Sequence, residues 1–493
     1  MPTRGVVAAG HPLSAEVGAR ILREGGNAVD AAVAAMLTSF TAEPLLTGPG
    51  AGGYMLVAGT DEEPVLLDFF VAAPGRGNAR SEFAALVPIV VSFGDAEQTF
   101  NVGPASVGTW GTPAGICAAV DRWGTVPLGE LAAPAAALAR EGVPLNEQQA
   151  YVLEILAGIL VSTPECAALF APGGTRLGAG DRFRSDDLAD AIERLGQEGA
   201  APFYEGDVAA DVLAWLGDRG GVVTAEDLRT YRAVAREPVR VSYRDREIAT
   251  NPPPNAGGIL LAIALALLDR DDVSPPPEVR LVDVMEQVQA GRTPEFVGGL
   301  DRPGFAEEAL AAQLGSTTHV SVLDADGLAC AVTCTNGEGS GIVVPGTGMH
   351  LNNIMGEEDL NPLGFHTFPP GRRMPSMMAP TIVRGVDGVE LVVGSAGSNR
   401  IRSAILQTIV AVVDRGLDAT AAVVAPRLHF EEGIVYAEPG IELDALRAAG
   451  RQVAPFRDRN LFFGGVQAVQ RDPLTGALTG AGDPRRGGAA VQA

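Results

Sequence analysis

Apolar residues recur along this chain at two different periods. From Ser14 to Arg23 the positions Val17, Ile21 and Leu22 share one helical face, and Gly25-Gly26 ends the run. A second helix is predicted at once: Asn27 with Asp30 three residues later gives a capping-box-like start, and Val29, Ala32, Val33 and Met36 carry its apolar face to about Phe40. Helical patterns return at 127–141, 145–160, 185–195, 207–218 and 225–230. Pro- and Gly-rich loops such as Ala171-Pro-Gly-Gly174 and Asn251-Pro-Pro-Pro254 separate them. The run Ile259 to Leu268 is apolar throughout but is about half of the ~20 residues that span a bilayer, so it reads as a buried helix.

Residues 289–316 lose this periodicity and are punctuated by glycine and proline, as an exposed, mobile connection would be. Period two follows. Thr317 to Leu323 and Leu328 to Thr335 alternate and are rich in β-branched residues, and Asp326-Gly327 between them is a two-residue hairpin signal. With that loop, paired positions sum to 653, so Thr318 faces Thr335 and Thr317 faces Asn336. Strands at 380–384 and 389–394 lead into Gly394-Ser-Ala-Gly-Ser-Asn-Arg400, and a helix follows with Ile401, Ile405, Ile409, Val412 and Val413 on its apolar face. Helical cover first and strands afterwards give an α/β (α+β) class.

Composition narrows the function classes. The 493 residues have the composition of a compact, small-residue-rich chain, with 46% hydrophobic residues and 62 glycines. A formal charge of −24 without any Lys/Arg run is repelled by nucleic acid and by anionic lipid, so neither nucleic acid nor membrane is an expected partner. The first fourteen residues lack the charged-then-apolar pattern of a secretory signal, which predicts a cytoplasmic location. Four cysteines make no disulfide framework, and Cys330 and Cys334, four apart in a strand, lie about 13 Å from each other. No histidine falls in an H-E-x-x-H pattern; neither a metal nor another cofactor is expected.

Gly48-Pro-Gly-Ala-Gly-Gly53 has the G-x-G-x-x-G spacing, but Tyr54 to Val57 reads as a strand where a dinucleotide fold needs a helix. A structural tight turn and a backbone-lined wall of an active site remain open for it. There is neither a G-x-S-x-G elbow nor an evident S-x-x-K, so another nucleophile must be sought. Thr317 opens a strand directly after a connection that can be cut away. An internal threonine hydroxyl has no built-in base, whereas an N-terminal threonine carries an α-amine of pKa about 8, suited to take its proton.

Thr317-Thr-His-Val-Ser-Val322, with Asp324 to Gly327 and Val332-Thr-Cys-Thr335, resembles the motif that opens the small subunit of γ-glutamyltransferases. Gly26-Asn-Ala-Val-Asp-Ala-Ala32, the turn 48–53, residues 251–258, Leu351-Asn-Asn353, Met378-Ala-Pro-Thr-Ile382 and Gly394-Ser-Ala-Gly397 are similar to that family in the same order. The resemblance implies a four-layer αββα N-terminal-nucleophile sandwich. It also implies cleavage between Ser316 and Thr317 into a large subunit 1–316 and a small one 317–493, which together form one unit and can pair into a dimer of such units. It further implies that Thr317 is the nucleophile, that Thr335 orients it, and that the N–H groups of Gly397 and Ser398 form the oxyanion hole. Ser398 stands where the family has a glycine, a change a backbone donor tolerates unless the position needs a positive φ.

The family grips the glutamyl carboxylate with an arginine after Asp-Phe and with two adjacent serines. Here Asp68-Phe69 is followed by Phe70, and only Ser376 remains, before Met377. Arg372 or Arg373 is a candidate replacement cation. Glu357 or Glu358 is expected to hold the α-amino group, with Asn336 beside it. The implied activity is cleavage of γ-glutamyl amides such as glutathione, with water or an amine as acceptor. The alternatives are an acylase for other amides, similar to cephalosporin acylases, and a catalytically silent binding relative.

Overall fold

Two antiparallel sheets lie face to face in a computed structural model that describes residues 3–60, 62–77, 83–92, 97–271, 273–275, 277–290, 318–361 and 363–493. Across the first sheet the strands run Ala489–Gln492, Gly5–Ala9, Thr318–Asp324, Ala329–Thr335, Gly52–Ala58, Val65–Phe69, Val234–Arg236. Across the second they run Leu478–Gly482, Gly465–Arg471, Gly388–Ala396, Thr381–Gly385, Arg246–Thr250, Val239–Tyr243.

Alternation in the strands divides the core into two parts. Val7, Met55, Val320, Val322 and Val332 pack outward with the helices Pro12–Arg23 and Ala28–Ala42. Their neighbours Val6, Ala8, Leu56, Leu323 and Ala331 face the second sheet, whose far side is covered by the helices Gly257–Asp269 and Arg400–Val413. These layers are the expected αββα order. Both central strands are buried on both faces, which accounts for their near-continuous apolar sequence.

The helix Ala28–Ala42 begins at the predicted cap: Asn27 Oδ1 accepts from the N–H of Val29 and Asp30, and Asp30 Oδ2 accepts from Asn27 N–H. All its residues are buried, because it lies between the first sheet and the helix Leu128–Glu141. The apolar run at 259–268 is likewise a buried helix.

The hairpin register differs by one from the expected value. Thr318 pairs with Cys334 and Leu323 with Ala329, so paired positions sum to 652 and not 653, and Thr318 does not face Thr335. The cause is Asp324. Its N–H donates to Leu328 O at 3.0 Å, and its Oδ1 accepts from the N–H of both Asp326 and Leu328, each at 3.0 Å. A three-residue loop therefore forms, with Gly327 in the left-handed region at φ 90°. The other oxygen of Asp324 accepts from Ala28 N–H, tying the hairpin to the start of the helix Ala28–Ala42.

The expected connection at 289–316 lies outside the described residues except at its first two positions, which end the helix Glu278–Ala290. Ser316 and Thr317 are likewise outside them. The terminal strands Gly5–Ala9 and Ala489–Gln492 were not foreseen.

Candidate active site

The glycine turn 48–53 runs straight into the strand Gly52–Ala58, which removes the dinucleotide reading. It is a tight turn packed against backbone, with Ala51 N–H donating to Gly48 O at 3.1 Å. Gly52 pairs with Thr335, and a Cβ on Gly52 would fall 2.6 Å from Val71 N, so backbone fills the space beside the end of Thr335's strand. Asn352 locks the turn to the Leu-Asn-Asn segment: its Nδ2 donates to Gly50 O at 2.9 Å and to Gly108 O at 3.0 Å.

Thr335 ends its strand buried, and its Oγ1 accepts from Gly337 N–H at 2.7 Å. Gly337 then passes so close to the next segment that a Cβ on it would sit 2.1 Å from both Asn353 Oδ1 and Glu357 Oε1. Thr335, Asn336, Asn353 and Glu357 thus form one cluster. Of the two candidate acids, Glu357 is buried in it and Glu358 is exposed. Asn336 donates from Nδ2 to His350 O at 3.4 Å, while its Oδ1 and the Nδ2 of Asn353 have no partner among the described residues. A buried acceptor and a buried donor left open at one place are suited to a polar ligand.

The strand Gly388–Ala396 of the second sheet, which packs against the strand Ala329–Thr335, ends in Gly397 and Ser398. Their carbonyls accept from Arg400 and Ile401 at 3.0 and 3.1 Å as the helix starts, while neither N–H donates to a group among the described residues. Two adjacent free donors at a helix start suit an oxyanion. Gly397 has φ 122°, and a Cβ there would meet Gly464 Cα at 2.6 Å. Ser398 has φ 55°, so the position does need the left-handed conformation and serine holds it under strain.

The remaining predicted residues line up differently. Phe70 is fully buried with its ring stacked on Tyr54, centroids 5.4 Å apart, and its carbonyl accepts from Tyr231 Oη. Ser376 Oγ accepts from Met378 N–H at 3.1 Å. Arg373 is committed to Asp68, Nε to Oδ1 at 3.2 Å, which Arg236 also contacts, and lies over the ring of Tyr231. Arg372 lies over the ring of Phe368.

Two buried groups escaped the sequence. His319 bridges Thr333 Oγ1 at 2.7 Å and Ser321 Oγ at 2.9 Å between the sheets. Because Ser321 gives its proton to Gln467 O, Nε2 is the protonated nitrogen of His319, and burial pushes the imidazole pKa down to about 3. Glu43, after the helix Ala28–Ala42, accepts from Thr318 Oγ1 at 3.1 Å, and burial raises its carboxyl pKa to about 7. Alternation alone could not flag either, since each stands among ordinary core residues.

Residues 14–298 and 305–493 match the gamma-glutamyltranspeptidase family profile. The chain is 32% identical to the glutathione hydrolase proenzyme of Bacillus subtilis (strain 168), over 99% of this chain and 91% of that protein. It is also 32% identical to the acylase ACY 1 proenzyme of Pseudomonas sp. (strain SE83), over 99% and 93%. Among solved structures, cephalosporin acylase from Bacillus halodurans superposes with a TM-score of 0.85 at 27% identity, covering 99% of this chain and 96% of that one.

Proposed function

This chain belongs to the gamma-glutamyltranspeptidase family, and from that premise we propose a self-processing amide hydrolase or transferase that acts on γ-glutamyl amides such as glutathione. The reading assigns Thr317 as nucleophile and divides the chain after Ser316 into subunits 1–316 and 317–493. The observation that carries it is the pair of N–H groups at Gly397 and Ser398, free among the described residues, at the end of a strand that packs against the Thr335 strand. Thr318, the residue after the proposed nucleophile, pairs with Cys334, the neighbour of Thr335.

In the first step the Thr317 hydroxyl attacks the Ser316 carbonyl carbon, and the peptide C–N bond breaks as the nitrogen takes the proton. Water then hydrolyses the ester and frees Thr317 with its α-amine. In turnover that amine takes the hydroxyl proton, the oxygen attacks the substrate amide, and the oxyanion receives the Gly397 and Ser398 donors. The protonated amine gives its proton to the leaving nitrogen. Water or an acceptor amine discharges the acyl group. Glu357 and the open Oδ1 of Asn336 are suited to an ammonium group on the acyl chain.

Phe70 favours a second reading, an acylase for other amides, because an apolar ring cannot donate paired N–H bonds to a carboxylate. Assaying the processed protein on γ-glutamyl and glutaryl anilides separates the two. A higher kcat/KM for the γ-glutamyl compound supports the first reading, and preference for the glutaryl compound transfers the assignment to the second.

A further inference from the structure

Arg486 carries a guanidinium that no side chain among the described residues pairs directly. Its side chain runs along Gly465, where a Cβ would fall 2.4 Å from its Cδ, and its Nη2 comes within 3.5 Å of the point where Gly397 would carry a Cβ. The guanidinium therefore stands beside the proposed oxyanion donors. Its position is set by a rigid neighbour: Arg485 and Arg427 both pair with Asp483, at 3.1 and 2.7 Å, in a buried cluster completed by Glu438.

Its backbone N–H donates to Asp483 O at 3.2 Å, but among the described residues its guanidinium forms neither a hydrogen bond nor an ion pair, and its Nε is buried without a partner. Glu43, Glu338 and Asp483 act on it only through space, and Arg400 opposes it. Burial lowers its pKa to about 10, still well above neutrality, so the charge is kept, with carboxylates acting on it from a distance and none in direct contact among the described residues. The arginines around it are engaged: Arg400 Nε donates to Phe462 O, and Arg427 and Arg485 pair as above. A buried, unpaired guanidinium offers a planar fork that fits a carboxylate.

We propose that Arg486 is the specificity-determining cation of the site, receiving a carboxylate carried by the amide substrate in place of the clamp that Phe70 and the single Ser376 no longer provide. The proposal rests on the amide-cleaving reading for its substrate class. The carboxylate can belong to the acyl part, as in a glutaryl group, or to the leaving amine, as in an aminobenzoate.

The test uses processed wild type, R486Q and R486K with four amides: butyryl anilide, glutaryl anilide, butyryl aminobenzoate and glutaryl aminobenzoate. R486Q is expected to raise KM for the carboxylate-bearing amides by about ten- to a hundredfold with kcat changed far less, and R486K to recover part of the loss. The arm that responds identifies which side of the amide carries the anion. An equal change on all four amides, or none, overturns the proposal. Calorimetry on processed wild type with glutarate and with glutaramide gives a readout that needs neither turnover nor the variant. Glutarate should bind at least about tenfold more tightly; equal affinity overturns the proposal. Absence of turnover on every amide, with the glutarate preference intact, counts against the amide-cleaving reading and leaves the anion site standing.

Discussion

Thr318 donates from Oγ1 to Glu43 Oε1 at 3.1 Å, with both side chains buried. The bond ties the residue next to the proposed nucleophile to the end of the helix Ala28–Ala42, so that the two proposed subunits stay joined there after cleavage.

That carboxyl gives the protein a pH-dependent stability. Folding raises the pKa of Glu43 from 4.5 to about 7, mainly by burial, so the folded state holds a proton that the unfolded chain releases above pH 4.5. Between those values stability falls as pH rises, by up to about 1.4 kcal/mol per pH unit from this group. Glu43→Gln should flatten that slope, read as Tm against pH from 4.5 to 7.5. Parallel curves for wild type and variant would refute a raised pKa.

Ser398→Gly should stabilise the fold by up to about 1 kcal/mol, since glycine adopts φ 55° without strain. Its proposed donor is a backbone N–H and is retained, so kcat should stay within a few-fold. The urea midpoint and kcat check the two parts separately.

Thr335→Ala removes the acceptor of the Gly337 N–H bond at 2.7 Å and the hydroxyl proposed to orient Thr317. Self-cleavage and turnover should both slow by one to two decades, as expected for loss of about 1.5–3 kcal/mol of orientation. Thr335→Ser should restore most of both rates. Recovery of stability without recovery of rate would make the residue merely structural.

Phe70→Arg places a charge in the core where the ring now stacks on Tyr54. It is expected to destabilise the protein by about 3–5 kcal/mol, not to restore a carboxylate clamp. A lowered KM for γ-glutamyl anilides without a fall in Tm would show that the position still opens onto substrate.

Much of the architecture was legible because it rests on local rules. The Asn27/Asp30 cap, the buried helix at 257–269 and the strand, turn and helix around Gly397 follow from side-chain period and capping chemistry. The hairpin register did not, because Asp324 spends its carboxylate on the loop's own N–H groups, a choice that turn propensity does not encode. For the proposed site, motifs in the sequence marked Thr335, Gly397 and Glu357. That site was illegible where long-range packing decides the matter: Phe70 became a core ring, Arg373 was absorbed by Asp68, and Arg486 gains its meaning only from the distant Gly397.

Self-cleavage before Thr317 is read from the intact mass of the purified protein under denaturing conditions. Two chains are expected, with masses of residues 1–316 and 317–493, and a single uncut chain for Thr317→Ala. A single 493-residue chain from the wild type, or two chains from the alanine variant, would contradict it.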